Sequence, residues 1–162
     1  MSEAFYITRE GATRLQRELA ELRTTARPKI VSEVADAAAQ GDRSENAEYI
    51  YGKKKLREID RRIHWLTKRL ESITVVDSRT GPTSTVYFGA YVDVEDEEGA
   101  AATYRIVGED EIDLQIGAIS WRSPMGRSLL KKGVGDTVVL VRPRGRAELT
   151  IVAIRYSKDE DG

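Results

Sequence analysis

The feature that most constrains the fold is an apolar seam near the middle of the chain. Six apolar residues recur there at alternating steps of three and four: Leu56, Ile59, Ile63, Leu66, Leu70 and Ile73. This is the heptad spacing of a helix that packs along one stripe in a coiled coil. A second series with the same spacing runs over residues 15–37, and only the short connection Gly-Asp-Arg-Ser at 41–44 separates the two. Helices joined so tightly must be antiparallel neighbours, so the pattern predicts an antiparallel coiled-coil hairpin with one sharp tip.

The helix limits follow from local signals. Thr8 is a suitable N-cap for the first helix, and Glu10 in the first turn is favourable to the helix dipole. Pro28 removes one backbone donor, so we expect the helix to continue past it with a kink or a local loosening. The second helix is predicted to open near Asp42 and to run to about Ser72. Alanines just before Gly41 keep the paired tip slender.

The second half of the chain has the character of a β domain. Short β-branched runs, punctuated by glycine and proline, predict strands at residues 85–88, 90–94, 103–107, 137–141 and 149–154. Ser123-Pro124 predicts a short helix with a cap and a proline at its first position. The expected fold class is α+β, with a coiled-coil finger over residues 1–76, a globular α+β domain over 77–158 and an acidic tail over 159–162.

Composition excludes several functional classes. The 26 Lys and Arg nearly balance the 27 Asp and Glu, for a net charge of −1, which argues against coating nucleic acid by bulk charge. The chain has no cysteine, so disulfides, thiolate nucleophiles and cysteine-based zinc sites are impossible. No secretory signal and no apolar run of about 20 residues is visible. We therefore expect a cytoplasmic protein that makes no membrane contact.

Two carboxylates lie at the predicted tip, Asp42 and Glu45. One interpretation is structural, because Asp at an N-cap with Glu three residues later resembles a capping box. The other is functional, because two nearby carboxylates can supply oxygen ligands to a hard cation such as Mg²⁺. One or two carboxylates bind Mg²⁺ poorly by themselves, so this second interpretation requires a partner that completes the site. The spacing alone leaves both open.

A basic stretch follows the tip. Residues 53–69 hold eight basic residues against Glu58 and Asp60, a local charge of +6 in a chain of net charge −1. Such a stretch can be a solvated flank of the coiled coil, yet pairs such as Arg57 and Arg61 at i,i+4 repel each other. An acidic partner such as nucleic acid is the favoured interpretation. His64 is expected to be a flank residue, and Trp65 and Trp121 to be packing residues at the junction or in the globular core.

These segments together resemble a known family. The tip Gly-Asp-Arg-Ser-Glu-Asn-Ala-Glu-Tyr at 41–49 and the run Lys-Lys-Lys-Leu-Arg-Glu-Ile-Asp-Arg-Arg-Ile at 53–63 resemble the Gre transcript-cleavage factors, most closely the GreB branch, for which Arg43 is typical. The resemblance continues at 27–28, 87–90, 104–108, 110–112 and 123–132. Two departures are Gly126, where the family usually has Ala, and His64-Trp65 in place of a basic-aromatic pair.

The resemblance implies a function and a fold. Gre factors insert the coiled coil into the secondary channel of RNA polymerase and stimulate endonucleolytic cleavage of the 3′ RNA extruded from backtracked, arrested complexes. The factor is not itself an enzyme, because the hydrolysis is the polymerase's own Mg²⁺-dependent reaction. The C-terminal domain would be FKBP-like and dock on the polymerase rim, and the free protein is expected to be monomeric.

Roles carry over by motif. Asp42 and Glu45 would be the catalytic pair that helps to hold Mg²⁺, a cofactor present only in the complex with RNA polymerase. Arg43, Ser44 and Asn46 would orient the tip or contact the polymerase, although local backbone bonding is an alternative for Ser44 and Asn46. The extruded RNA would be bound by a basic set, namely Lys53, Lys54, Lys55, Arg57, Arg61 and Arg62.

Three other functions remain open from sequence. One is a related secondary-channel regulator that binds polymerase without promoting cleavage. Another is a prolyl isomerase or chaperone with a helical arm. The third is a structural coiled-coil adaptor, for which an acidic tip would be dispensable.

Overall fold

A computed structural model describes residues 5–41, 45–78 and 81–157. It divides into two compact units, one formed by residues 12–73 and the other by residues 1–11 together with 74–162. The predicted acidic tail at 159–162 lies outside the described residues.

The first unit is a helical hairpin, as predicted. Helix α1 (Arg9–Glu21) passes through a π-helical turn at Leu22–Ala26 into α2 (Arg27–Ala39), and α3 (Ala47–Ser72) returns alongside. At 1.5 Å per residue, the 26 residues of α3 span about 39 Å. The Thr8 hydroxyl accepts a hydrogen bond from the Gly11 N–H at 3.1 Å, which confirms the predicted N-cap of α1.

The π-helical turn is the loosening expected at Pro28. Proline has no N–H to donate to the preceding turn, so the regular ladder cannot continue through it. The missing backbone hydrogen bond is accommodated just before the proline, where residues 22–26 form one wider, π-helical turn. Helix α2 then starts with Pro28 in its first turn. The helix therefore continues through the proline.

The seam is buried along the hairpin and is closely packed near the tip. Leu15, Ile30, Ala37, Ile59 and Leu66 are buried, in agreement with the predicted stripes. Gly52 of α3 is buried against Val34 of α2, and a Cβ added at position 52 would lie 2.7 Å from the valine Cγ2 atom. The two backbones thus approach more closely there than any larger residue would allow, which makes this end of the hairpin slender.

Polar contacts between the helices fix their antiparallel register. Three cross-helix contacts link α1, the π-helical turn and α2 to α3: the Arg62 Nη2–Glu18 Oε1 bond of 2.8 Å, the Arg27 Nε–Asp60 Oδ1 bond of 2.7 Å and the Arg23 Nη2–Thr67 Oγ1 bond of 3.1 Å. Between Arg23 and Arg27 the partner on α3 moves back from Thr67 to Asp60, as an antiparallel pair requires.

The second unit is built on a five-stranded sheet. Its strands are β3 (Tyr91–Glu95), β4 (Ala101–Val107), β5 (Ala118–Ser120), β6 (Thr137–Arg142) and β7 (Gly145–Arg155), in the order β5-β4-β3-β7-β6. Only β4 and β5 are parallel. A separate two-stranded sheet pairs β1 (Phe5–Thr8) with β2 (Ile73–Val76).

The core of this unit lies on one face of the large sheet. The short helix α4 (Pro124–Leu129) packs there, with Met125 and Leu129 among the buried core residues. It begins as predicted, because the Ser123 side chain accepts from the Gly126 N–H at 3.0 Å and Pro124 follows the cap. Trp121 packs partly buried against the core, which confirms its interpretation as a packing residue.

A buried carboxylate ties the start of the chain to this unit. Glu111 Oε2 accepts from the backbone N–H groups of Thr8 and Gly108, each at 2.9 Å, and Oε1 accepts from the Thr8 hydroxyl. A Cβ at Gly11 would fall 2.2 Å from Glu111 Oε1, so only glycine leaves room for the carboxylate. These hydrogen bonds compensate the free-energy cost of burying the carboxylate.

Several sequence predictions about elements are wrong. Residues 85–88 do not form a strand: Thr85 makes a single bridge to Gly133, and Val86 exchanges backbone hydrogen bonds with Lys131 and Lys132. The second helix opens at Ala47 rather than near Asp42. Strands β1, β2 and β5 were not predicted. They have only three or four residues each, too few for an alternating pattern to be recognisable.

Candidate functional site

The tip of the hairpin carries the predicted catalytic residues. Asp42, Arg43 and Ser44 lie outside the described residues, so their predicted roles stay predictions. Glu45 is exposed in a turn directly before α3. Its carboxylate is thus presented at the end of the finger, where a partner can reach it.

Asn46 organises the junction between the two helices. Its Oδ1 atom accepts from the Tyr49 N–H at 3.0 Å, which makes Asn46 the N-cap of α3. Its Nδ2 atom donates to the Ala37 carbonyl oxygen of α2 at 2.6 Å. The capping-box interpretation assigned the N-cap to Asp42, and this is wrong because Asn46 occupies that position. One side chain therefore caps α3 and binds it to the end of α2, adjacent to Glu45.

The sequence of the tip offers carboxylate ligands for a cation. Among the residues that the structure describes, no group of three His, Cys, Asp or Glu side chains could hold a metal ion. Mg²⁺ in phosphoryl-transfer sites is held by one or two carboxylates together with water and substrate phosphates. Glu45, with Asp42 three residues earlier in sequence, fits the carboxylate part of such a donor set.

The predicted basic set falls into two parts on α3. Lys54, Arg57 and Arg61 are exposed and follow one another at steps of three and four, on the side opposite the buried Ile59 and Leu66. Lys68 continues this line seven residues beyond Arg61 and is also exposed. We call Lys54, Arg57, Arg61 and Lys68 the outer stripe. It places four positive charges on one face of the hairpin over about 21 Å, with the exposed Glu58 beside them, four residues after Lys54.

The other members of the set lie off this line. Lys53 is half-buried and Lys55 is exposed. Arg62 binds Glu18 through two nitrogen atoms, and the hydrogen bond from its guanidinium lowers the pKa of the Glu18 carboxyl. Arg27 Nε donates to Asp60 Oδ1, and that hydrogen bond raises the pKa of Arg27. Part of the basic charge is therefore balanced within the hairpin.

Trp65 is the residue that sequence reasoning misplaced. It was expected to pack at the junction or in the core, yet its side chain is 36% exposed. The guanidinium carbons of Arg62 and Arg69 lie 4.7 and 4.8 Å from the centroid of its ring. Trp65 directly precedes Leu66 and lies four residues after Arg61. This spacing could have predicted its exposure, because it places the side chain beside the outer stripe and away from the seam.

With this geometry established, two family profiles match nearly the whole chain. The profile described as "Transcription elongation factor, N-terminal" matches residues 5–75, and that described as "Transcription elongation factor, GreA/GreB, C-term" matches residues 81–156. The chain belongs to the GreA/GreB family of transcription elongation factors. The profile boundary at residues 76–80 falls where the hairpin gives way to the sheet domain.

Individual relatives support the GreB branch of the GreA/GreB family. The chain is 52% identical to transcription elongation factor GreB of Pseudomonas aeruginosa, over 93% of this chain and 89% of the relative. It is 49% identical to GreB of Yersinia pestis, over 99% and 95%. A crystal structure of the GreA factor homolog Gfh1 of Thermus thermophilus is 25% identical and covers 94% of this chain and 99% of its own, with a TM-score of 0.43.

Membership confirms the main sequence predictions. The fold class is α+β, with an N-terminal helical hairpin and a sheet-rich C-terminal domain, and the protein is a transcription elongation factor. As an elongation factor of this family it acts on RNA polymerase. In the part of the chain that the structure describes, no helix is both long and apolar enough to cross a membrane.

Proposed function

We propose that this GreA/GreB-family factor inserts its hairpin into the secondary channel of backtracked RNA polymerase and stimulates cleavage of the extruded 3′ RNA. The observation that carries the proposal is the presentation of Glu45 at the end of a slender finger. The Gly52–Val34 approach keeps the helices close near this end. Asn46 holds the junction by bonds to both helices.

The protein's own contribution is to place carboxylates and leave the remaining ligands to the partner. Asp42 and Glu45 would hold Mg²⁺ jointly with the polymerase. The metal supplies activation of water and neutralisation of charge at the scissile phosphate. Asn46 keeps Glu45 oriented by fixing the first turn of α3. A preorganised tip of this kind loses little entropy when the metal site is completed.

The outer stripe would bind the extruded RNA. Exposed Lys54, Arg57, Arg61 and Lys68 offer positive charge along a line, as a single-stranded phosphate backbone requires. Lys53 and Lys55 adjoin this line and add to its potential, whereas Arg62 adjoins it with its charge paired to Glu18. RNA binding by this face would be sensitive to salt, because each phosphate contact releases counterions.

The test separates chemistry from docking. In a backtracked complex with 3′-labelled RNA, Asp42→Asn and Glu45→Gln should reduce stimulated cleavage by at least about 100-fold, a scale typical of removing one group that stabilises developing charge. Polymerase binding should stay within about threefold of the unmodified protein. Glu48→Gln is the matched control, because Glu48 is an exposed carboxylate in the first turn of α3, and it should change neither quantity.

Other outcomes would redirect the assignment. Equal loss of binding and cleavage would give the tip a docking or folding role. Tight binding without cleavage by the unmodified protein would favour a secondary-channel regulator. Cleavage by all variants would keep the function and remove it from these carboxylates.

A further inference from the structure

Trp65 occupies an unusual position for an aromatic side chain in a coiled coil. The residue after it, Leu66, is fully buried in the hairpin, whereas Trp65 is 36% exposed on the side of α3 that carries the outer stripe. The exposed part of this ring offers apolar surface to a ligand. Its place beside a line of basic residues points to a ligand with both charge and apolar surface.

Two arginines hold the ring. Arg62, one turn before Trp65, and Arg69, one turn after it, place their guanidinium carbons 4.7 and 4.8 Å from the ring centroid. Contacts of this kind are attractive because the cation meets the negative charge of the ring face. The three side chains thus form one positively charged cluster in which both guanidinium groups lie over the aromatic ring.

Glu18 makes the cluster rigid. Arg62 reaches across from α3 to this carboxylate of α1, with Nε–Oε2 and Nη2–Oε1 distances of 2.5 and 2.8 Å. A bidentate guanidinium–carboxylate pair fixes the plane of the guanidinium as well as its position. The arginine nearest the outer stripe is therefore already oriented before any ligand arrives, which lowers the entropic cost of binding.

We propose that Arg62, Trp65 and Arg69 form a stacking platform for a base of single-stranded RNA at the end of the outer stripe farthest from the tip. This inference rests on the proposed RNA role of the stripe. Guanidinium and indole planes both stack on nucleobases, and the positive charge of the arginines attracts the neighbouring phosphates. Exposed Arg61 and Lys68 flank the platform and continue the phosphate path.

The ring distinguishes RNA from an acidic protein surface as the ligand. An acidic protein would be bound by the arginines through charge alone, and the indole would contribute little. A base stacks on the guanidinium planes that the ring supports, so removal of the ring should weaken RNA contact even though every charge is retained.

The platform also predicts a length dependence. Trp65 lies 18 residues beyond Ala47, the first residue of α3, which is about 27 Å along the helix axis. Short extruded RNA that ends near the tip would not reach it. The platform should therefore act only on deeply backtracked complexes and leave shallow ones unaffected.

The experiment is photo-cross-linking in backtracked RNA polymerase complexes. A thiouridine is placed at successive positions of a long extruded RNA, and cross-links to the factor are mapped. We expect one position to cross-link to the segment around Trp65. Trp65→Leu, which keeps all charges, should reduce this cross-link about tenfold, as the loss of one stacked base implies. Trp65→Phe should retain most of it.

Controls keep the test independent of folding and of the cleavage assignment. His64→Leu alters the adjacent exposed residue and should leave the cross-link unchanged, and helical circular dichroism should be equal in all variants. Arg69→Gln provides a second variant that removes one cation and should also weaken the cross-link. Cleavage of shallow complexes should be normal throughout.

Two results would overturn the platform. One is an equal cross-link in Trp65→Leu and the unmodified protein. The other is normal stimulated cleavage with RNA cross-links at Arg57 and Arg61 but none at Trp65, which would keep the proposed function and reject the platform alone. If the proposed function itself fails, the unmodified protein will give neither cleavage nor cross-links to α3, and this outcome also rejects the platform.

Discussion

Replacement of Gly52 by alanine tests the close approach of the helices. Two effects oppose each other in this substitution. Alanine in a helix interior is favoured over glycine by about 1 kcal/mol. Against this, the new Cβ would lie 2.7 Å from Val34 Cγ2, and overpacking of this kind costs about 1–3 kcal/mol. Because valine in a helix has one strongly preferred rotamer, its methyl group cannot easily move away. The clash should prevail, with a net destabilisation of about 1 kcal/mol.

A double-mutant cycle isolates the clash. In a Val34→Ala background the opposing methyl group is absent, so Gly52→Ala should instead stabilise the hairpin by about 1 kcal/mol. The two measurements together imply a coupling energy of about 2 kcal/mol between positions 34 and 52. Denaturant unfolding of the four proteins, followed by helical circular dichroism, provides the values. Stabilisation by Gly52→Ala in the unmodified background would refute the close approach, as would additivity of the two substitutions.

Three further predictions follow from individual contacts. Glu18→Gln should lower the free energy of unfolding by at most about 1 kcal/mol at neutral pH, because the pair with Arg62 is well exposed. Folding lowers the pKa of Glu18 from 4.5, so the stabilisation by its charge is present above that pH and is lost as the pH falls further. The stabilities of the variant and the unmodified protein should therefore converge in acid, and a constant difference down to strongly acidic pH would contradict this. Glu111→Ala should destabilise the sheet unit by about 3 kcal/mol by leaving two buried N–H groups unpaired. Glu111→Gln keeps an acceptor, so it should destabilise the unit clearly less. Equal thermal stability of the two variants would refute the role of the carboxyl. Charge reversal at Arg57 and Arg61 should reduce stimulated cleavage of long extruded RNA and make this cleavage less sensitive to salt. Short fragments should still be released normally. An unchanged fragment profile would remove the RNA role from the outer stripe.

The hairpin could be predicted because its signal is long and periodic. Five seam positions in α3 specify one face, and the short connection at residues 40–46 leaves little choice of orientation. The sheet domain was predictable only where strands are long or alternating. Strands β1, β2 and β5 are short, and residues 85–88 have the composition of a strand but find backbone partners in the segment after α4. The tertiary hydrogen-bond partners decide whether such a segment forms a strand, and the propensities of single residues carry no information about those partners.

The candidate site was predictable in its residue types and less so in its contacts. The spacing of Asp42 and Glu45 suggested a capping box, yet the amide of Asn46 provides the cap because it can also bind the end of α2. The basic stretch was evident from the sequence. Which of its residues form the exposed outer stripe and which pair with carboxylates depends on which arginines face α1. Glu18 lies 44 residues from Arg62 in sequence, and only the register of the hairpin brings them together. The same register leaves Trp65 beside the outer stripe.

The most direct test of the central claim is the Mg²⁺ dependence of stimulated cleavage. The rate of RNA release from a backtracked complex would be measured over a range of Mg²⁺ concentrations with the unmodified factor, Glu45→Gln and the control Glu48→Gln. If Glu45 contributes to a shared metal site, its variant should require on the order of tenfold more Mg²⁺ for half-maximal rate, a loss of about 1.4 kcal/mol, while the control matches the unmodified factor. The same Mg²⁺ requirement for all three proteins would contradict the assignment of the tip carboxylate to the metal.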